Sequence, residues 1–162
     1  MMTITEHSRP QMVDGYGLLN PSEGSGLLSW SVVEQQLVAA RNYWIATTRP
    51  DGRSHCMPVW GVWADGAFYF GTDGASRKGR NLQANPHAVV HLESGDEAVI
   101  LEGVVEHANG HDAIAQASAR YATKYDLPES LGDSPLMLRP RAAFAWRERD
   151  FPGSATRWRF GE

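Results

Sequence analysis

The apolar positions of the chain fall into short runs that are rich in β-branched and aromatic residues and are separated by turn signals. These strand-like runs cover residues 42–49, 53–64, 67–72, 87–93, 98–108, 136–148 and 155–160. Asp-Gly pairs at 51–52 and 65–66 separate the first three runs, and this pair favours tight β-hairpins. The pattern therefore predicts a meander of three antiparallel strands, followed by further hairpins.

Helical character is confined to three segments between these runs. Ser31 and Glu34 fit a capping box, which predicts that a short helix begins at this point. Residues 76–85 have helical character up to Pro86, and residues 112–125 place apolar side chains on one helical face. Six or seven strands with two or three short helices predict a mainly β fold, a small antiparallel barrel with helices at its ends.

Composition divides the chain into two parts and limits the function classes. Residues 1–26 are rich in Gly, Ser, Pro and polar side chains, which predicts a flexible lead-in before a single domain at 27–162. The formal net charge of −4 argues against a nucleic-acid partner. Cys56 is the only cysteine, and no signal peptide or membrane-length apolar run is visible. We therefore expect a cytoplasmic protein without an internal disulfide and without a membrane partner.

A cluster of three cations follows the strand that ends at Thr72. Arg77, Lys78 and Arg80 lie within four positions, and Ser76 precedes them. Basic clusters usually cover a solvated helix face, but cations at a helix N-terminus oppose the helix dipole by roughly a few tenths of a kcal/mol each. Charged donors and nearby hydroxyls suit a phosphate. The segment is a candidate phosphate site centred on Arg77 and Lys78, and we expect Arg80 to turn to solvent.

Two tryptophans lie on the strand that precedes this segment. Period-two alternation places Pro58 and Trp60 on one face of the strand and Val59 and Trp63 on the other. An aromatic surface close to a phosphate site suits a planar ligand that carries a phosphate. Trp63 is better explained as a residue of the core or of a subunit interface.

The order of motifs between about residues 42 and 106 resembles the flavin-binding split-barrel family related to pyridoxamine 5′-phosphate oxidase. The motifs are, in order, Asp-Gly, PVW, a strand that ends in Thr, SRK, NL, NP and EG. The resemblance implies a six-stranded antiparallel split barrel of the FMN-binding type. It also implies a homodimer that holds the cofactor, and a small-molecule substrate, at the subunit interface.

The same resemblance assigns roles to single residues. The implied cofactor-binding residues are Pro58, Val59, Trp60, Thr72, Ser76, Arg77, Lys78, Asn81, Trp146 and Arg157. Of these, Arg77 and Lys78 would bind the cofactor phosphate. Lys78 and Asn81 also fit a Lys-x-x-Asn spacing that occurs in members using coenzyme F420, so FMN and F420 both stay candidates. No metal ligand set is expected.

The expected function is an oxidoreductase that uses FMN or F420 for two-electron, hydride-type transfer to or from an unidentified small molecule. No general acid or base stands out in the sequence, so the catalytic residues stay unassigned. Two alternatives remain open. One is a non-catalytic flavin- or haem-binding protein, and the other is true pyridoxamine 5′-phosphate oxidase activity.

Overall fold

A computed structural model describes residues 2–13, 15, 17, 26–127, 131–132 and 134–161. The strands of this part are β1 (Thr3–Ser8), β2 (Tyr43–Thr48), β3 (Ser54–Val59), β4 (Gly61–Ala64), β5 (Ala67–Phe70), β6 (His87–His91), β7 (Glu97–His107), β8 (Leu136–Arg147) and β9 (Thr156–Gly161). The helices are α1 (Trp30–Ala39), α2 (Arg77–Ala84), α3 (His111–Tyr125) and α4 (Phe151–Ser154), with a 3₁₀ turn at Glu148–Asp150.

The strands form one open antiparallel sheet. Its order is β1-β9-β8-β7-β6-β2-β3, and the β4–β5 hairpin attaches where β5 pairs with β8. β1 and β3 are the two end strands of this order, and they do not pair with each other. The barrel is therefore split rather than closed. The prediction of a mainly β split barrel with short helices is confirmed. No helix in the described ranges is long and apolar enough to cross a lipid bilayer.

The two Asp-Gly turns predicted the hairpins correctly. Gly52 has a φ of 83°, and Asp65 and Gly66 have φ values of 49° and 75°. Two consecutive positive φ values are what a two-residue turn of type I′ requires. β2 accordingly pairs with β3, and β4 pairs with β5.

The predicted single strand over 53–64 is wrong, because the chain breaks at Trp60 into β3 and β4. The cause lies at Gly61, where a Cβ would come within 2.4 Å of the Phe68 ring. The Tyr125 hydroxyl also lies 2.9 Å from both the backbone N and O of Gly61. β3 pairs with β2 and β4 pairs with β5, so two separate hairpins replace the predicted three-stranded meander.

The described part of the chain contains nine strands where the resemblance implied six. Relative to the seven strand-like runs of the sequence, the break at Trp60 accounts for one additional strand and β1 for the other. β1 lies inside the predicted lead-in of residues 1–26 and pairs with β9, so residues 3–8 are not the structureless segment expected. Its sequence is polar because most of its side chains are exposed. Residues 14, 16 and 18–25 lie outside the described residues, and the boundary at 26 stays a prediction.

The three predicted helices form, with a different N-terminus for α1, whereas α4 and the 3₁₀ turn before it were not predicted. α1 begins after Ser29, and no side chain caps it, so the capping box of Ser31 and Glu34 is wrong. Glu34 instead accepts a hydrogen bond from the indole of Trp63 at 3.2 Å. The predicted core role of Trp63 is confirmed, since it is buried in the larger cluster.

The two faces of the sheet differ in what covers them. One core, which contains Val33 and Tyr43, fills the inner face of the sheet. A second core, which contains Val62 and Ala117, lies between α3 and the opposite side of the β4–β5 hairpin, because Val62 alternates with Trp63 of the first core. On β2, β3, β6, β7 and β8 the face opposite the first core, which we call the outer face, is largely half-buried or exposed. Its apolar members are Trp44, Ala46, Pro58, Val89, Ile100, Ala142 and Phe144. Cys56 is also exposed there. Continuous apolar surface of this kind is typical of an interaction site.

Candidate functional site

The start of α2 is held tightly against the preceding loop. Ser76 caps the helix, since its Oγ accepts a hydrogen bond from Gly79 N at 3.0 Å. A Cβ at position 79 would lie 2.4 Å from Asp73 O and 2.7 Å from Gly74 Cα. Only glycine permits this approach. The close contact therefore fixes the position of the first turn of α2, which carries Arg77 and Lys78.

A buried polar contact joins α2 to the β2–β3 hairpin. Asn81 is 0% exposed, and its Nδ2 donates to Thr47 Oγ1 at 3.0 Å. Thr47 Oγ1 in turn lies 3.5 Å from His55 Nδ1. Asn81, predicted as a cofactor residue, therefore also positions α2 on the sheet.

This docking brings together cations that are far apart in sequence. Burial lowers the pKa of His55, and the positive charges of Arg49, Lys78 and Arg77 lower it further. Burial also lowers the pKa of Lys78. We call Arg49, His55, Arg77 and Lys78 the cation pocket. The sequence analysis assigned neither Arg49 nor His55 to the site, although their position on either side of the Asp-Gly turn could have suggested both.

One carboxylate lies near the cation pocket, but it is already engaged. Asp51 receives two hydrogen bonds from the guanidinium of Arg53, at 2.7 and 3.0 Å. Its pKa is lowered first by Arg53 and more weakly by Arg49 and Arg77. Among the described residues, neither Arg77 nor Lys78 forms an ion pair.

Two buried polar atoms at this place have no partner within the described ranges. They are Arg49 Nε and Asn81 Oδ1. Leaving a buried polar atom unsatisfied costs about 1–3 kcal/mol, so such atoms indicate a missing partner. Arg49 Nε can donate to a phosphate oxygen, and Asn81 Oδ1 can accept from a ligand hydroxyl. The residues present fit a phosphate ester that carries hydroxyl groups.

The two hydroxyls predicted to assist are partly occupied. Thr72 Oγ1 lies 3.2 Å from Ser76 Oγ, and Ser76 also caps α2. Arg80 is exposed and donates to Ala75 O, outside the cation pocket. That position agrees with the expectation that Arg80 turns away.

The residues predicted beside a planar ring lie along β3, which is the edge strand next to β2. Pro58 is exposed on the outer face, whereas Val59 is buried in the core, so only the backbone of Val59 is available to a ligand. His55 and Pro58 are three positions apart along the strand, or about 10 Å. An edge strand also leaves backbone N–H and C=O groups without a strand partner.

Trp60 is 43% exposed and does not stand free. Its ring stacks on Tyr125 with centroids 4.6 Å apart and an interplanar angle of 10°. The Arg41 guanidinium lies 5.8 Å from the Trp60 ring centroid. One face of the indole is therefore occupied within the chain, a contact that the sequence did not reveal.

Trp146 and Arg157 do not join the other predicted residues within one chain. Trp146 lies on β8 and packs edge-on against Phe151. Arg157 lies on β9 and pairs with Glu6. Strands β6 and β7 separate β8 from β2 in the sheet order.

One cross-strand row nevertheless connects the two groups on the outer face. The paired residues of this row are Pro58, Trp44, His91, Ile100, Phe144 and Arg157. A groove of about 410 Å³ lies beside the row and includes Thr47, Ser54, His87 and Glu102 in its walls. Because Thr47 also contacts Asn81 and His55, the groove adjoins the cation pocket.

The chain is an open antiparallel barrel with a cluster of cations at the start of a short helix. The model of the pyridoxamine 5′-phosphate oxidase family matches residues 32–147, and the chain belongs to this family. No protein with curated annotation matches the chain in sequence.

Several solved structures are similar in fold. A conserved hypothetical protein from Mycobacterium tuberculosis is 22% identical with a TM-score of 0.67, over 78% of this chain and 89% of that one. An F420 reductase is 24% identical with a TM-score of 0.53, over 67% and 94% of the two chains. A heme-binding protein from Mycobacterium smegmatis is 24% identical with a TM-score of 0.55, over 69% and 52%. At these identities the similarity establishes the fold alone.

Proposed function

We propose that the protein binds a phosphate-bearing flavin or deazaflavin, FMN or coenzyme F420, and uses it as an oxidoreductase on a small molecule. The observation that carries the proposal is the cation pocket, where unpaired charges meet the unpartnered Arg49 Nε and Asn81 Oδ1. Family membership and the similarity to an F420 reductase support the same class of ligand.

The residues of the chain divide the work of binding. Arg77, Lys78 and Arg49 hold the phosphate by charge-assisted hydrogen bonds, which are about twice as strong as neutral ones. The partial burial of Lys78 strengthens its attraction for an anion, because the local dielectric is lower than in water. Backbone groups of β3 hydrogen-bond to the polar edge of the ring. The bound cofactor supplies the two-electron redox chemistry.

The outer face supports a homodimer as part of this proposal. A two-fold contact uses the same surface on both copies. An axis through the middle of the cross-strand row would place the Arg157 end of one copy over the Pro58 end of the other. Trp146 and Arg157 would then complete the ring site from the second subunit, which explains why they are distant within one chain.

A binding series with and without phosphate tests the proposed ligand class. Purified protein is titrated with FMN, with riboflavin, with F420 and with the deazaflavin that lacks the phosphate, and binding is followed by absorption and fluorescence. We expect one phosphate-bearing cofactor to bind at least about hundredfold more tightly than its phosphate-free form. Equal affinity for each pair would contradict a phosphate site in the cation pocket.

The chromophore released from freshly purified protein separates the alternatives. FMN or F420 in the supernatant after denaturation supports the proposal. A haem spectrum supports a haem-binding protein and overturns it. Turnover of pyridoxamine 5′-phosphate with release of hydrogen peroxide would instead identify the oxidase of the family name.

The assembly has its own test. Ile100 lies half-buried at the centre of the cross-strand row, and Ile100→Glu would place a charge in the proposed interface. We expect monomers by light scattering and a loss of ring binding. A variant that stays dimeric would show that the subunits meet elsewhere.

A further inference from the structure

A second region of the chain combines a cavity with unpaired positive charge. α1 and α3 both pack on β4 and leave a groove between them, which we call the α1–α3 groove. It consists of adjoining cavities of about 370 and 560 Å³ that share Val38, Trp63 and Arg120. None of the residues that line these cavities belongs to the outer face.

One wall of the groove carries two cations and an apolar floor lies beneath them. Arg120 and Lys124 are one helical turn apart on α3, and both line the smaller cavity with Val62 and Trp63. Val38 of α1, which is 55% exposed, forms the opposite apolar wall. Like charges at this spacing repel one another, and no described residue forms an ion pair with either.

The surroundings of Lys124 hold its ammonium group at a defined place. Its Nζ donates to the Tyr43 hydroxyl at 2.8 Å and to Gly61 O at 3.1 Å. Among the described residues, Arg120 Nη1 donates to Trp63 O, at 3.5 Å. Lys124 uses two of its three N–H groups in these hydrogen bonds and Arg120 one of its five, so both side chains retain donors that no described residue accepts.

The acidic groups of the region lie at the other end. Glu34 and Asp65 line the larger cavity together with Arg120. Glu34 already accepts a hydrogen bond from Trp63. The groove is therefore positive at the Lys124 end, apolar at its floor and acidic at its far end.

We propose that the α1–α3 groove binds a small carboxylate with an apolar body, separately from the cofactor. The carboxylate lies between Arg120 and Lys124, and the apolar body packs on Val38, Val62 and Trp63. The smaller cavity has the size of a small-molecule pocket. A polyanion is a poorer fit, because the acidic far end would repel it.

The backbone connects the proposed carboxylate site to Trp60, which is one of the residues predicted to lie beside the cofactor ring. Lys124 binds Gly61 O, and the Tyr125 hydroxyl binds the same residue. Gly61 directly follows Trp60 in the chain. A carboxylate bound at Lys124 therefore acts one residue away from the indole that stacks on Tyr125.

The binding depends on pH in a defined direction. Burial, followed by the charge of Arg41, lowers the pKa of Lys124 to about 8. The neighbouring Tyr43 and Tyr125 have raised pKa values and stay neutral. Affinity for the carboxylate is therefore greatest below pH 8 and falls above it as Lys124 loses its proton.

A matched pair of ligands tests the proposal by calorimetry on the full chain. Hexanoate should bind, and hexanamide, which has the same shape without the charge, should bind at least about tenfold more weakly. Arg120→Gln and Lys124→Gln should each weaken hexanoate binding by about tenfold or more. Arg139→Gln, which removes an exposed cation that pairs with Glu106, is the control and should leave it unchanged.

Three outcomes would contradict the proposed carboxylate site. Equal affinity for hexanoate and hexanamide, or unchanged affinity in Arg120→Gln and Lys124→Gln, would overturn it, as would an absence of hexanoate binding. Cofactor binding by Arg120→Gln should stay normal, because Arg120 lies outside the cation pocket. Failure of the groove site and failure of the cofactor proposal are thus separate results.

Discussion

Two clusters of positive charge, one on β9 and one in the cation pocket, differ in whether carboxylates neutralise them. On β9, Arg157 and Arg159 both pair with Glu6 of β1. In the cation pocket, Arg77 and Lys78 form no ion pair with any residue that the structure describes. The first arrangement connects two strands, whereas the second leaves charge available to an anion. Pairing, rather than the number of cations, therefore distinguishes the two.

The largest expected effect comes from removing charge from the cation pocket. Arg77→Ala combined with Lys78→Ala should lower affinity for the phosphate-bearing cofactor by at least about hundredfold, since two charge-assisted contacts are lost. Fluorescence titration measures it. The matched control is Arg80→Ala, which removes a cation from the same helix but outside the pocket. An equal loss of cofactor affinity in both variants would show that the effect is not specific to the cation pocket.

The next effect concerns the backbone that supports the pocket. Gly79→Ala would bring a Cβ within 2.4 Å of Asp73 O, and overpacking of this kind costs about 1–3 kcal/mol. Urea denaturation should show the lower free energy of unfolding, and cofactor affinity should fall as α2 shifts. A Cβ at Gly95 would meet no atom of the surrounding structure within 4 Å, so Gly95→Ala is a suitable control. Comparable stability of the two variants would contradict the close approach.

A smaller effect should accompany titration of the pocket. The pKa of His55 is lowered from its ordinary value of 6.5 by burial and neighbouring cations. Because the folded state holds this proton less tightly than the unfolded state, the contribution of His55 to stability is present above pH 6.5 and is lost as the pH falls below it. A bound anion has the opposite effect on the pKa of His55, since its negative charge favours the protonated imidazole.

Anion binding should therefore take up protons below pH 6.5. Sulfate is the useful probe, because it does not titrate in this range, and calorimetry in buffers of different ionisation enthalpy counts the protons. We expect affinity for sulfate to rise by at most a few-fold as the pH falls, and His55→Gln to remove the rise. A rise that persists in His55→Gln would assign the proton to another group.

The smallest effect belongs to the paired charges on β1 and β9. A hydrogen bond from Ser8 and then the Arg157 guanidinium lower the pKa of Glu6 from 4.5. Its contribution to stability is present above that pH and is lost as the pH falls below it. Since the group is exposed, Glu6→Gln should lower Tm only slightly, with calorimetry as the measurement. A large drop would show that this pairing supports more of the fold than its exposure indicates.

Local signals account for what the sequence predicted of the fold. The Asp-Gly turns and the Ser76 cap act within a few residues, so the hairpins and α2 could be assigned from the chain itself. β1 could not be assigned, because its partner β9 is about 150 residues away and its side chains are polar. The break at Trp60 depends on Phe68 and Tyr125, which alternation along one strand does not report.

The site was predicted in part for the same reason. Arg77, Lys78 and Asn81 lie in one motif and could be identified together. Arg49 and His55 join them only because Asn81 contacts Thr47, which lies 34 residues earlier in the chain. Where Trp146 and Arg157 act stays a prediction, since it depends on a second subunit.

The exposed edge formed by β3 affects how the protein behaves when no cofactor is bound. An unpaired strand edge is a template on which another chain can add a strand, which leads to aggregation. Proline has no N–H to offer such a strand, and Pro58 lies within β3, so the edge resists continuation by a foreign strand. It remains open to a flat small molecule. We expect the cofactor-free protein to aggregate more readily on heating than the protein with bound cofactor. Pro58→Val should increase this difference.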